Sequence, residues 1–350
     1  MELRRFLRAS LLAAGSAWVL RKWPPTANGL AAPLSTTSQV ALTVGSDHVD
    51  IIYQGLQRFK TQIAAAIGNR PILVKPNNVI GTPNNNHGDV ILSDTCVESL
   101  EAILEFLQSI GKTDVVIAEA CATDPTMVAF DNCGYFKLSK KYPVRFLDLH
   151  QEGYEIVSIY GGRSRQNIRI SKMLVNPDYF VISAPKFKTH NNVVATLSLK
   201  NIAMGSPIVD PGLYRSIANC RNDKSSMHGN GNQDLNDNIH LLASRLAPDL
   251  AVIDGFEGMQ GDGPCWGTKV AQHVAVVSLD FLAADRVGIE LMGIDSTYPA
   301  YLNYCHQTGL GQFDLNAIEV LGEPIATYRQ TYQLSPSIDS QLGMRATPRA

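Results

Sequence analysis

The chain has 350 residues, 45% hydrophobic and 18% charged, enough apolar material for a full core in one large domain or two modest ones. Its formal net charge is −2, with acids and bases mixed along the chain, which excludes the basic stripe expected of a nucleic-acid binder. Its six cysteines form no C-x-x-C pair, which excludes zinc-ribbon and ferredoxin spacings and leaves no iron–sulfur cluster motif.

Residues 1–38 read as leader and linker. Arg4, Arg5 and Arg8 precede an apolar run over 9–20, the layout of a secretory signal. The arginine pair followed by Phe6 and Leu7 resembles a twin-arginine signal, although the usual pattern has one more residue between the pair and Phe-Leu. The expectation is export to the periplasm or cell envelope; without a working leader the chain would stay in the cytoplasm. Beyond the leader no apolar run is long enough for a transmembrane helix.

From residue 39 to about 326, strand-like and helix-like patterns alternate. "VALTVG" predicts a strand and 49–67 a helix; "PILVKPN" predicts a strand that ends in the polar loop 78–89. The strongest helical pattern lies in 93–111, where Ser93 or Asp94 could cap, Leu100, Ile103, Leu104 and Leu107 form one stripe, and Gly111 follows. Strands are predicted at "DVVIAEA", "VRFLDL", "YEIVSIY", "NIRI" and "DYFVISAP", with a short helix at "TMVAFDNCG". A helix at 235–246 precedes the strand "DLAVIDG", which leads into a glycine-rich loop. The strand "HVAVVSLD" ends on Asp280, a cap for the helix 281–293, and a helix in 297–311 closes the main fold. The polar tail, 327–350, is expected to be loosely held. The alternation predicts one α/β domain over 39–326, in one body or two lobes. Its sheet would be largely parallel with helices on both faces, Rossmann-like in general layout, with some antiparallel strands. In such sheets ligands bind beyond the carboxyl ends of strands.

Polar clusters follow several of these strands. In "APKFKTHNNVVATLSLKN" alternation places Lys186, Lys188 and His190 on one face, with Phe187 and Thr189 on the other. Read as a second extended run, "TLSLKN" places Thr196, Ser198 and Lys200 on one side and ends at Lys200 and Asn201. Neighbouring ammonium groups repel, and a carboxylate or phosphate between them removes that cost. The candidate binding set is therefore Lys75, Asn77, Glu119, Lys186, Lys188, Thr189, Lys200 and Asn201, around a small anionic molecule. The alternative is that these lysines pair with Glu119, Asp254 or Glu257 in a structural network. His190 and His228 are the candidate proton carriers, because imidazole titrates near neutrality. His48, His87, His150 and His306 fall outside these clusters. In "DGFEGMQGDGP", Asp254 and Glu257 could hold a divalent metal through oxygen, or act as charge partners. No other cofactor is legible.

The motifs "VKPN", "DVVIAEA", "NCGY", "APKFKTH", "TLSLKN", "MHG", "DGFEGMQGDGP" and "GLG…IEVLGE" together resemble the bacterial and archaeal family catalogued as domain of unknown function 362, over about 40–324. Members are often exported, and many carry a ferredoxin-like cysteine module that this chain lacks. The resemblance implies a fold and the positions of motifs, and no reaction. The expectation is an exported enzyme with acid–base or redox chemistry on the bound anion. The alternative is a non-catalytic binding or assembly protein of the cell envelope.

Overall fold

The computed structural model describes residues 37–81, 92–215 and 220–349. The leader, His87 and most of the predicted 78–89 loop lie outside the described residues. The strands in chain order are β1 (Ser38–Val44), β2 (Ile72–Pro76), β3 (Val115–Glu119), β4 (Val144–Asp148), β5 (Tyr154–Gly161), β6 (Ser164–Ser171), β7 (Phe180–Ala184), β8 (Lys186–His190), β9 (Val194–Thr196), β10 (Leu250–Gln260), β11 (Thr268–Ser278) and β12 (Ile318–Gly322). Those of the main sheet run in the order β12-β1-β11-β10-β7-β2-β3-β4, with β8 attached to β10 and β9 to β8. Strands β4, β3, β2, β7 and β10 are parallel neighbours, while β11 runs antiparallel to both β10 and β1. The predicted α/β class is what the structure shows. Strands β5 and β6 form a separate hairpin.

Strand β2 is buried throughout, as befits a parallel strand covered on both faces. Its alternate residues feed two cores. Ile72 and Val74 join the helices His48–Gln57, Lys60–Ile67 and Val97–Ser109 on one face. Leu73 joins the helices Ser198–Gly205, Asn232–Leu246 and Phe281–Leu291 on the other. In sequence β2 leads outward to β3 and β4, while β7 returns to its other side and leads to β10. The order therefore reverses between β2 and β7, and this switch point opens a crevice beyond the carboxyl ends of the two strands.

Several local expectations change. The predicted 49–67 helix is two helices, broken at Arg58 and Phe59. The helix Val97–Ser109 begins at Cys96 without a side-chain cap. Asp94, expected as a cap, instead accepts hydrogen bonds from the backbone N–H groups of Val79 and Gly81. "DGFEGMQ" is not a loop: β10 continues to Gln260, with a bulge between Gly255 and Glu257. "SLKN" is not extended but opens a helix. The tail, expected to be loosely held, packs: Tyr332, Ser335 and Gln341 are buried.

Candidate functional site

Lys75 ends β2 and Glu119 ends β3, and parallel pairing sets the two strand ends side by side. Lys75 Nζ lies 2.6 Å from Glu119 Oε1, and neither side chain reaches solvent. Glu119 also accepts from the backbone N–H groups of Asn78 and Ala120, so its charge is well solvated by the protein. Lys75 Nζ further donates to Asn201 Oδ1 (3.0 Å), which also accepts from Asn77 Nδ2 (3.1 Å). With Nδ2 so engaged, Asn77 Oδ1 is a buried acceptor without a hydrogen-bond partner. A glycine is required beside this group: a Cβ at Gly205 would lie 2.0 Å from Lys75 Cε. Burial pulls Lys75 below an ordinary lysine, against the opposing pull of Glu119.

Asn201 and Lys200 are carried by the helix Ser198–Gly205. That helix starts where Asp285, from the helix Phe281–Leu291, accepts the N–H groups of Ser198 (2.7 Å) and Leu199 (3.0 Å). The expected alternation over 196–200 therefore fails after Thr196, because the next backbone donors are taken by a remote carboxylate. Lys200 still faces the crevice. It has no hydrogen-bond or ion-pair partner among the described residues, and burial, then the charge of Lys188, hold it well below an ordinary lysine.

His190 ends β8. Its Nδ1 accepts from Asn192 N at 3.0 Å, so the neutral ring carries its proton on Nε2. Burial, then Lys200 and Lys188, push its pKa well below the ordinary imidazole value. His228 is half-buried and is lowered by burial and by Lys200. Lys75, Asn77, Glu119, His190, Lys200 and His228 all line one cavity of about 320 Å3. Lys224 completes its basic wall: its Nζ donates to Met204 O (2.9 Å), and burial lowers it to about 8. A hollow of about 420 Å3 beside the helix Ala300–Gln307 has Arg345 as its one charged side chain and no cluster of this kind.

The other candidates sit elsewhere. Lys186 and Lys188 do share a face, since both reach the segment before the helix Val97–Ser109: Lys186 Nζ lies 3.2 Å from Cys96 Sγ, and Lys188 Nζ donates to Ser93 O at 2.7 Å. That segment covers them, so neither lines the cavity. Thr189 Oγ1 donates to Gly261 O. Asp254 and Glu257 do not converge: Asp254 faces His48 and Ser99, whereas Glu257 pairs with Lys269 at 2.9 Å. Sequence reading missed Lys224, four residues before His228. It also left His48 unassigned, although that residue opens the helix after β1.

Residues 72–290, more than half of the chain, match the family described as domain of unknown function (DUF362), so the chain belongs to that family. A thylakoid-associated protein of Synechocystis sp. is 27% identical over 233 residues, a match that covers 64% of this chain and 63%, less than two thirds, of that relative. No solved structure matches the chain.

Proposed function

We propose that this member of the family binds a small anionic molecule in the cavity at the β2–β7 switch point. The observation that carries the reading is Lys200, a buried lysine amine with no partner among the described residues, facing a cavity with Lys224 and His228 in its walls. A purely structural ion-pair network accounts for Lys75 with Glu119 but leaves Lys200 without a counter-charge. A cavity of about 320 Å3 holds about ten water volumes, which suits a metabolite-sized carboxylate or phosphate. The unpaired Asn77 Oδ1 favours a ligand that also carries a hydroxyl or amino hydrogen. His190 Nε2–H is a donor to such a ligand, and His228 is the residue free to move a proton. The site is then that of an exported enzyme acting on a bound anion. Export is supported by the basic and apolar leader and by the thylakoid association of the Synechocystis relative. Among the described residues no helix is long and apolar enough to cross a membrane.

Calorimetric titration with phosphate and with citrate tests the binding. Lys200→Ala and Lys224→Ala should each weaken the tighter of the two at least about tenfold, roughly 1.4 kcal/mol, with melting behaviour retained. Equal binding in parent and variants would remove the anion site. Lys188 is unsuited to this test, because it holds the Ser93 carbonyl. Intact activity in cells carrying His228→Gln would favour a non-catalytic envelope protein.

A further inference from the structure

We infer that His48, Cys96 and Asp254 form a zinc site, separate from the anion cavity. The three come from different parts of the chain: the first residue of the helix His48–Gln57, the residue before the helix Val97–Ser109, and the middle of β10. Their donor atoms all lie within 4.8 Å of one another. Tetrahedral zinc with N, O and S donors sets them roughly 3.4–3.6 Å apart, so small side-chain movements bring all three onto one ion. His48 Nε2 lies 3.0 Å from Asp254 Oδ2, a close charge contact that is not aligned as a hydrogen bond. With the ring proton on Nδ1, Nε2 can offer its lone pair to a cation at this position.

The surroundings are those of an oriented metal site. Ser99 Oγ donates to Asp254 Oδ2 (2.7 Å) and the Phe256 N–H to Oδ1 (2.8 Å), which fixes the carboxylate. The His48 ring stacks on Phe256 at 4.4 Å between centroids, 7° from parallel, which fixes the imidazole. Charge also balances: a neutral histidine, a thiolate and a carboxylate match one divalent ion, with the thiol proton released to solvent on binding. Lys186 Nζ, 3.2 Å from Cys96 Sγ, then donates to the bound sulfur from outside the coordination shell. The thiolate and imidazole select a borderline-soft metal over magnesium or calcium. Three protein ligands leave a fourth position open.

The experiment is a calorimetric titration of chelator-treated, full-length protein with zinc, repeated with cobalt(II) in an absorption spectrometer. The expected result is one metal per chain, with a thiolate-to-cobalt charge-transfer band that Cys96→Ala abolishes. His48→Ala and Asp254→Asn should each weaken zinc binding at least tenfold. Cys96→Ala removes a thiol that hydrogen-bonds only Lys186, so a folded variant is expected; circular dichroism checks this. No zinc binding by the parent at micromolar concentrations overturns the proposal whatever the variants do. Binding that survives Cys96→Ala and Asp254→Asn unchanged overturns it equally, since the metal then sits elsewhere.

Discussion

Lys200, Lys224 and His190 share one cavity with too little negative charge, and their titration carries the sign of what is bound there. Burial, then the charge of Lys188, hold free Lys200 well below its ordinary value, and burial lowers Lys224 to about 8. A bound anion favours the charged ammonium and raises both values. Binding must then take up protons, and affinity weakens as pH rises from the free-state toward the bound-state values. Sulfate is the useful probe, because it has no proton of its own to lose near pH 8. Titrations in buffers of different ionisation enthalpy should show uptake at that pH, and Lys200→Met should reduce it. A binding enthalpy that is the same in every buffer would refute this account of the cavity.

At the scale of elements, Asp285 decides where a helix begins. It is fully buried, and its two oxygens take the N–H groups of Ser198 and Leu199 that open the helix carrying Lys200 and Asn201. Asp285→Ala leaves two buried donors without partners and should cost about 2–4 kcal/mol in denaturant unfolding at neutral pH. Burial pushes the Asp285 carboxyl up to about 7 against the pull of those bonds. Between its unfolded value, about 4, and that value the folded chain holds a proton the unfolded chain releases. The parent's advantage over Asp285→Ala should therefore shrink as pH rises through this window. An advantage that grows with pH would show that the carboxylate form, not the acid, is the one the fold favours.

At the scale of the molecule, the tail ties separate parts together. Tyr332 is 3% exposed and its hydroxyl donates to Gln272 Oε1 at 2.9 Å. Gln341 Oε1 accepts from Val194 N at 2.6 Å, a residue whose φ of 70° is strained for a β-branched side chain. Val194 faces His190 across the β8–β9 pair, so the tail supports the strand that brings His190 to the cavity. Arg349 reaches Asp234 at 2.7 Å, on the far helix Asn232–Leu246. Removing residues 331–350 should lower stability by at least about 3 kcal/mol, through the lost Tyr332 burial and the orphaned Val194 N–H. An unchanged melting curve after truncation would show that the tail merely rests on the surface.

The sequence by itself determined what local pattern and apolar periodicity can encode. Buried runs such as "ILVKP" and "VVIAE" specified parallel strands; Asp280, followed by an amphipathic stretch, specified a capped helix; and polar residues at strand ends marked Lys75, Glu119 and His190, which line the cavity. Only the tertiary structure decided which of those charges meet. Lys75 takes Glu119, while Lys186 is turned toward Cys96 and Lys200 is left facing the cavity, although each is a lysine within a polar cluster of the sequence. The helix at Ser198 depends on Asp285, 87 positions away in the chain, and His48, at the start of a helix, meets Asp254 in the middle of β10. Periodicity reports which face a residue occupies, but the partner on that face comes from distant chain brought in by sheet order, and no short-range pattern carries that information.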